Sequence, residues 1–423
     1  MIVLMLFALI LLIVLGMPIA YALGMVSFLY LSTKGIALSM MAQSLVRGIN
    51  SFTILAIPFF FLAGELMNAS GVTERIIKLA QALVGHITGG LAQVNILASV
   101  MFAGLSGSAT ADTAALGSIL IPSMVKEGYD KDFSAAITVA SSMVGPIIPP
   151  SITLVLYGIM AQQPIGQLLI AGILPGFIVA GTQMVYTYFY SKKMEYPRYP
   201  RASLREFGGA MREGVPAVIM PLIIVGGILS GVFTPTEAAA VAVLYGFIVG
   251  LFFFKQFNLH GMWQMIKGVG LRSIRVLIVL AYATLFGWIV TRARIPEMVV
   301  DFLFSLSSNP SVLLFLIIMF LLVVGLFMLP SPALVVLTPI LAPVASKIGI
   351  SPIHFGVIMV LTLTVGSATP PVGVCLYIAS DIAEMPVQRL IKAMIPLYIV
   401  LFAAILIIAY VPALSMYLPT TLL

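Results

Sequence analysis

Long apolar runs dominate the chain, and short segments rich in polar residues, glycine or proline separate them. Because a helix needs about 20 apolar residues to cross the hydrocarbon core of a bilayer, the pattern predicts roughly ten to twelve membrane segments in an all-α polytopic membrane protein. No charged residue precedes Lys34, and the opening apolar run has no basic region before it. We therefore expect the chain to start with a retained membrane helix and not with a cleaved signal peptide.

Two of the apolar runs are interrupted by similar motifs, VGPIIPP at residues 144–150 and VGSATPP at residues 365–371. Glycine permits a bend, and proline lacks a donor and fixes φ, so both segments are predicted to be discontinuous helices. Backbone carbonyls freed at membrane depth need a protein-buried or watery partner, for which a cation is suitable. A proline kink is the simpler alternative, although it explains a duplicated Gly-x-x-x-Pro-Pro poorly.

A second polar intrusion precedes each break: AGLSGSATADTAALG at residues 103–117 and VGLFMLPSPALVVLTP at residues 324–339. Small polar residues between short apolar arms predict two re-entrant helical hairpins whose tips end within the membrane. Hydroxyls of the first tip and the Asp112 carboxylate are oxygen ligands for a hard cation. Asp112 lines a substrate cavity in one interpretation and caps the hairpin backbone in the other. Close helix packing is the alternative use of such small residues.

The two halves match at a constant offset of 221 residues, in pairs such as Gly104 and Gly325, Lys126 and Lys347, and the double prolines of both breaks. This repeat is separated by a polar segment with six basic residues, which we expect to be cytoplasmic. We predict a first repeat at 1–190, a linker at 191–213 and a second repeat at 214–423, in inverted topology. A second basic loop is expected from Lys255 to Arg275.

Composition narrows the classes of function. Of the 423 residues, 61% are hydrophobic and 8% are charged, and the mean hydropathy is +1.17, which leaves no room for a large soluble domain. The net charge of +7 fits basic cytoplasmic loops and does not imply nucleic acid as a partner. A single cysteine and three scattered histidines give no transition-metal ligand spacing. The motifs GxxxxGK[ST] and HExxH are absent, so this chain is expected neither to hydrolyse ATP nor to be a zinc protease.

An enzymatic alternative starts from Gly104-Leu-Ser106-Gly107, which matches the short GxSG signature of intramembrane serine proteases. Such an enzyme needs a histidine to activate the serine, and His354 is the only plausible candidate. A nucleophile leaves the duplicated proline breaks unexplained. We therefore expect the protein not to be an enzyme.

Several segments together resemble the large membrane subunit of the tripartite ATP-independent periplasmic (TRAP) transporters, among them GLSGSATADTAALG, GPIIPPSI, GVFTPTEAAAVAVLYG and VGSATPPVGV. The resemblance covers nearly the whole chain. It implies a Na⁺-coupled importer of the bacterial inner membrane with an elevator-type architecture. A separate, small four-helix membrane subunit and a periplasmic substrate-binding protein are the implied partners, besides membrane lipid. The hairpins and broken helices would form the transport domain, and helices near the chain start and around 214–254 the scaffold.

By position, the resemblance implies two sodium sites. The first is expected at Ser106, Gly107, Ser108, Gly145, Ile148 and Pro149. The second is expected at Gly325, Met328, Gly366, Thr369 and Val372. The candidates for contact with substrate at the tips and break ends are Ser108, Asp112, Pro150, Ser151, Ser331 and Pro371.

The two expected sites differ in their side chains. The Thr369 hydroxyl is the last side-chain oxygen before the prolines of VGSATPP, whereas Ile148 occupies the matching place in the first copy. Thr369 is therefore predicted to complete a sodium shell that carbonyls leave short, and serines of the first hairpin are predicted to do so in the other site.

The substrate is expected to be a small organic acid, because members of the resembled family carry C4-dicarboxylates, sialic acid and other sugar acids. N-acetylneuraminate is favoured. A stand-alone Na⁺-coupled dicarboxylate or citrate carrier shares the plan of hairpins and broken helices and is the alternative transporter. The need for a soluble binding protein distinguishes the two classes.

Overall fold

A computed structural model describes the backbone of residues 2–254 and 259–422, and the side chains of residues 5–13, 15–254 and 261–422. Within these ranges every regular element is a helix. The helices are α1 (Ile2–Val14), α2 (Ile19–Thr33), α3 (Ser39–Ile49), α4 (Ala56–Ala69), α5 (Val72–Val84), α6 (Gly90–Ser106), α7 (Ala109–Lys126), α8 (Lys131–Ser142), α9 (Ile152–Ala161), α10 (Ile165–Ala171), α11 (Ile173–Lys193), α12 (Leu204–Leu229), α13 (Pro235–Ile248), α14 (Leu259–Arg292), α15 (Ile295–Leu306), α16 (Pro310–Phe327), α17 (Pro330–Lys347), α18 (Pro352–Gly366), α19 (Val374–Ile382), α20 (Val387–Tyr410) and α21 (Ala413–Leu422), with a 3-10 turn at Phe52–Leu55 and a π-helical turn at Val249–Phe253.

Seven helical stretches within the described ranges are long and apolar enough to cross a membrane, which agrees with a polytopic membrane protein. The expectation of ten to twelve segments was higher because it counted every apolar run as a full span. Four further apolar helices have only 10–17 residues. The hairpin turns and proline breaks divide part of the apolar sequence into these shorter helices.

The helix boundaries recur between the two halves. Helices α7 and α17 start at residues 109 and 330 and end at 126 and 347, and both pairs are 221 positions apart. Helices α8 and α18 start at 131 and 352 with the same offset. We call α6–α7 hairpin 1, α16–α17 hairpin 2, residues 143–151 break 1 and residues 367–373 break 2. Both breaks interrupt a helix, as the glycine and proline pattern predicts.

The polar linker is shorter than its charge pattern suggested. Helix α11 continues to Lys193, and α12 starts at Leu204 behind a capping box formed by Ser203 and Glu206, so only 194–203 is irregular. The predicted loop from Lys255 to Arg275 is wrong where it is described, because α14 is helical from Leu259 onward. Lys267, Arg272 and Arg275 lie within α14, so positive charge does not end the helix. Lys255 itself lies outside the described residues.

The linker is tied to the base of hairpin 1 by aromatic residues. The Tyr196 hydroxyl donates to the Asp130 carboxylate at 2.6 Å, and its ring lies 4.4 Å from that of Tyr129. Tyr129 in turn donates to the carbonyl of Pro197. Burial, ahead of the hydrogen bond to Asp130, raises the pKa of Tyr196 well above its usual value, so the hydroxyl stays a donor at neutral pH.

Packing separates the helices into two groups. The hairpins pack against the interrupted helices, α7 against α8 and α16 against α18. The helices near the chain start pack against the middle of the chain, with α13 on α4, and α14 on α2 and α3. The two groups touch where α14 packs against α17 and where α12 packs against α6. Gly107 at the tip of hairpin 1 is buried, whereas Phe327 and Leu329 at the tip of hairpin 2 are exposed.

Candidate functional site

Hairpin 1 turns at a glycine that has a left-handed backbone. Gly107 follows the last residue of α6 with a φ of +58°, a backbone conformation that residues other than glycine rarely adopt. Ser108 then caps α7 by accepting from the N–H of Ala111. A Cβ added at Gly107 would lie 2.9 Å from the Pro150 carbonyl oxygen. The tip of hairpin 1 is therefore in direct contact with the end of break 1.

Break 1 satisfies part of its own backbone. The Ser151 hydroxyl caps α9 by accepting from the N–H of Leu154 at 3.1 Å, and it donates to the carbonyl of Pro146. Thr153 donates to the same carbonyl at 3.0 Å. The hydroxyls of Ser151 and Thr153 thus replace backbone N–H donors that the prolines of the break lack. Ser151, which was predicted to contact substrate, therefore stabilises the backbone of break 1.

Asp112 is the most unusual polar group of this region. Its side chain is fully buried, and one carboxylate oxygen accepts a hydrogen bond from the Ser106 hydroxyl. Within the described residues the other oxygen, Oδ2, has no hydrogen-bond partner. A Cβ added at Gly145 would lie 2.3 Å from Oδ2, so the carboxylate faces the backbone of break 1. A buried carboxylate with a free oxygen is costly unless a cation or a proton compensates it.

Hairpin 2 contacts both the end of α18 and break 2. A Cβ added at Gly366 would lie 2.7 Å from the Cα of Gly325, so the two glycines allow the helices to touch. The N–H of Val372 donates to the carbonyl of Leu326 at 3.3 Å. Met328 ends α16 in an extended conformation. Of the residues predicted for the second sodium site, Gly325 and Gly366 are therefore in contact, and Val372 lies beside the carbonyl of Leu326.

Side chains distinguish the second contact from the first. Thr369 is half-buried, and its hydroxyl donates to the carbonyl of Val365 at 2.9 Å, which leaves the oxygen lone pairs available. The matching position in break 1 is Ile148, as the sequence shows. Phe327, Leu329 and Ala333 stand where hairpin 1 has Ser106, Ser108 and Asp112. The second contact thus relies on carbonyls and one hydroxyl, without a carboxylate.

Both hairpin tips border a central cavity of about 180 Å³. Its polar lining consists of hydroxyl side chains, those of Ser108, Thr110, Thr153, Ser331 and Ser367. The first residues of α7, α9 and α17, which are Ala109, Ile152 and Pro330, also line it. No lysine or arginine of the described ranges is among the lining residues. A small anion is therefore met by helix N-termini and hydroxyls.

The structure places the predicted substrate residues unequally. Ser108 and Ser331 line the cavity, whereas Asp112, Pro150, Ser151 and Pro371 are not among its lining residues. Asp112 instead lies behind the tip, between hairpin 1 and break 1. Thr153, Ser367 and Phe61 line the cavity and were missed. Ser367 belongs to VGSATPP and Thr153 follows the first break directly, so their position beside a break was the available signal.

His354 does not activate Ser106. Its ring nitrogens lie 2.5 Å from the Ser415 hydroxyl and 3.1 Å from the Ala409 carbonyl, and it is buried between α18 and the end of the chain. Ser106 instead donates to Asp112. The serine and histidine required for a protease are not paired, so the protease alternative is wrong.

Comparisons with known proteins place the chain in a family. Residues 6–414 match the family model described as "Tripartite ATP-independent periplasmic transporter, DctM component". The sialic acid TRAP transporter large permease protein SiaM of Vibrio cholerae is 42% identical over 405 residues, which are 96% of this chain and 95% of that protein. The C4-dicarboxylate TRAP transporter large permease protein DctM of Pseudomonas aeruginosa is 40% identical over 371 residues, 88% and 87% of the two chains.

The fold is also similar to solved transporter structures. The Neisseria gonorrhoeae MtrF structure, titled as illuminating a class of antimetabolite efflux pumps, has a TM-score of 0.60 and 15% sequence identity, over 88% of this chain and 83% of that one. At this identity the likeness concerns the fold alone.

The family match spans almost the whole chain, and the relatives are named as transporter permeases and not as enzymes. The family name denotes a tripartite system, so a large permease of this kind works with a small membrane subunit and a periplasmic binding protein. With its apolar helices the protein is an inner-membrane component of a bacterial transporter. The chain belongs to the DctM family, the large membrane component of the tripartite ATP-independent periplasmic (TRAP) transporters.

Proposed function

We propose that the protein imports a small organic acid by secondary active transport coupled to an inward Na⁺ gradient, with two sodium sites. The observation that carries the proposal is the doubled contact between a hairpin tip and an interrupted helix. In its first copy a fully buried carboxylate, Asp112, has an oxygen without a partner among the described residues. Sodium ions suit such groups, since hard cations prefer carboxylate, hydroxyl and carbonyl oxygens.

The first sodium site is proposed between the tip of hairpin 1 and break 1, with Ser106 and Asp112 as side-chain ligands. The second is proposed between hairpin 2 and break 2, with Thr369 as the hydroxyl ligand. Both sites lie beside the cavity, because Gly107 and Ser108 line it from the first side and Leu329 and Ser331 from the second. A cation in either site stabilises the tip that borders the substrate, which couples the binding of the two.

N-acetylneuraminate is our preferred substrate. The hydroxyl lining of the cavity suits a polyhydroxylated acid, and a relative that is 42% identical is named a sialic acid transporter. A four-carbon dicarboxylate is the competing substrate, since another relative is named for it. The cavity of about 180 Å³ is small for a sugar acid. The larger substrate therefore requires the tips to move away from Phe61 of α4.

We further propose an inverted repeat and an elevator-type movement. The two hairpins and two interrupted helices pack against one another, and the helices at the chain start pack with α13 and α14, which suits a moving unit and a fixed one. The small partner is proposed to be a four-helix membrane subunit that binds the fixed unit in a one-to-one complex. A periplasmic binding protein is proposed to deliver the substrate.

The test is uptake into proteoliposomes that contain the chain with its small subunit and binding protein. We expect radiolabelled N-acetylneuraminate to accumulate only with an inward Na⁺ gradient and without ATP. Equal uptake in potassium-only medium contradicts sodium coupling. Sodium-dependent uptake of succinate but not of N-acetylneuraminate contradicts the proposed substrate and still supports sodium coupling. Uptake without the binding protein moves the protein to the class of stand-alone carriers.

A further inference from the structure

A second polar cavity, of about 460 Å³, lies at the end of the molecule that carries the linker. It is formed by the first turns of α8 and α20 and by the last turns of α11. The residues lining it are Asp130, Lys131, Asp132, Phe133, Tyr186, Tyr190, Arg389, Lys392, Ala393 and Pro396. None of them belongs to the sites proposed for sodium or substrate.

The cations of this cavity exceed its carboxylates, three to two. Both carboxylates have partners inside the protein. Asp132 accepts from Arg389 at 2.7 Å, and Asp130 accepts from the Tyr196 hydroxyl at 2.6 Å.

The two lysines of the cavity form no ion pair with a carboxylate of the described residues. Among the described residues, the Lys131 ammonium donates only to the Glu384 carbonyl, at 3.3 Å. Lys392 has no carboxylate partner in the part of the chain that the structure describes. The cavity therefore presents positive charge that an anion can neutralise, since each surface cation attracts an anionic group in its neighbourhood.

One wall of the cavity is aromatic. The rings of Phe133 and Tyr190 are stacked, with centroids 4.5 Å apart, and Tyr186 lies 5.7 Å from Tyr190. Tyrosine next to lysine and arginine at the end of membrane helices is typical of the level of the lipid headgroups. This combination indicates a cavity at the boundary between water and the hydrocarbon core.

The helices that form the cavity continue into exposed apolar faces. On α11, Val185 is 58% and Phe189 65% exposed, and on α20, Ile395 is 53% and Ile399 68% exposed. In a membrane protein such faces contact acyl chains. A ligand with a negatively charged head and apolar tails thus finds partners for both of its parts in one place.

We propose that this cavity binds the phosphate headgroup of an anionic phospholipid, with the acyl chains lying along α11 and α20. Lys392 and Lys131 bind the phosphate, Tyr190 packs against the glycerol region, and the pair of Arg389 and Asp132 fixes the side of the cavity. Because the basic linker is at this end, the lipid belongs to the cytoplasmic leaflet. The site bridges α8, which leads into break 1, and the lipid-facing helices. It does not depend on the identity of the transported substrate.

The experiment is native mass spectrometry of the purified full-length protein, titrated with phosphatidylglycerol and, in parallel, with phosphatidylcholine. We expect the protein to retain phosphatidylglycerol preferentially. Lys392→Gln should weaken that binding about fivefold, the effect of roughly 1 kcal/mol per cation near an anionic surface. Lys392→Arg keeps the charge and should retain the binding. Lys193→Gln is the matched control, because Lys193 ends α11 at the same end of the molecule without lining the cavity.

Three outcomes overturn the proposal. The first is equal retention of the two lipids, and the second is an equal loss of phosphatidylglycerol in Lys392→Gln and Lys193→Gln. The third is displacement of the lipid by millimolar inorganic phosphate, which identifies a site for a free anion. Thermal unfolding of each variant is recorded alongside, and if Lys392→Gln unfolds early, Lys131→Gln replaces it in the same comparison. The sodium dependence of uptake is measured separately, so a failure of the lipid proposal does not bear on the proposed transport function.

Discussion

Hairpin 1 with break 1 and hairpin 2 with break 2 share a backbone plan but hold different side chains. In both, a hairpin contacts an interrupted helix, and helix bounds recur 221 residues apart. The first contact encloses a fully buried carboxylate that is bound to Ser106. The second has Ala333 at the position of that carboxylate and leaves Val372 42% exposed.

The difference shows which properties a duplicated fold retains. Glycine and proline were kept at matching positions because they determine where helices break and how closely backbones approach. The side chains at the proposed sodium sites differ, and in our proposal the carbonyl oxygens released by a break supply part of the cation shell in both copies. We therefore expect the two sites to respond differently to substitution, and the four predictions below test this comparison.

The largest effect is expected from Gly366→Ala. The added Cβ would lie 2.7 Å from the Gly325 Cα, and backbone cannot move aside as a side chain can. Overpacking of this kind costs about 1–3 kcal/mol, so we expect uptake to fall by about fivefold to a hundredfold. Gly181→Ala is the control, because nothing lies within 4 Å of its added Cβ on α11. Uptake in Gly366→Ala that equals the control contradicts the close docking of hairpin 2 on break 2.

Asp112→Asn is expected to reduce uptake about tenfold at a fixed sodium concentration, because a charged ligand or hydrogen-bond partner is worth about 1.5–3 kcal/mol. The substitution keeps the volume and removes the charge. A sodium titration should show a rightward shift. Asp381→Asn, which changes an exposed carboxylate on α19, should behave as wild type. If Asp112→Asn lowers uptake without any change in sodium dependence, the carboxylate shapes the hairpin and does not bind the ion.

Thr369→Val should raise the sodium concentration for half-maximal uptake about two- to fivefold, because one neutral oxygen ligand contributes on the order of 0.5–1 kcal/mol. Valine keeps the shape and removes the hydroxyl that donates to Val365. Thr291→Val removes a comparable bond, to the carbonyl of Gly287 at 3.0 Å, on an exposed position of α14. A titration of Thr369→Val that overlays both Thr291→Val and wild type excludes this hydroxyl as a ligand.

The smallest effect is expected from Ser331→Ala, which removes one of the hydroxyls that line the cavity. We expect the substrate concentration for half-maximal uptake to rise about twofold, in line with a net hydrogen-bond contribution of roughly 0.5 kcal/mol. The sodium dependence should stay unchanged, since Ser331 lies at the tip and not between tip and break. Ser305→Ala, at an exposed position of α15, is the control. A shift in sodium dependence instead assigns Ser331 to the second ion site.

Much of this arrangement could be predicted from the sequence because glycine and proline act locally. The helix bounds show both breaks and both turns, and several of them recur 221 residues apart, whereas the re-entrant depth of the hairpins and the bounds of the two repeats stay predictions. The basic segment after residue 255 was predicted as a loop, yet it is helical from Leu259, because charge reports a membrane boundary and not a chain conformation. Inverted topology, sodium binding and the elevator movement stay predictions.

The sequence by itself determined the class of the protein, the positions at which its helices break, and the residues that allow two backbones to touch. Only the tertiary structure decided that Asp112 faces Gly145 and not the cavity, that His354 binds Ser415, and that Thr153 and Ser367 line the same space. The physical reason is the range of the interactions. Backbone preferences act over a few neighbouring residues, whereas the surroundings of a buried polar group are set by helices that pack together from distant parts of the chain.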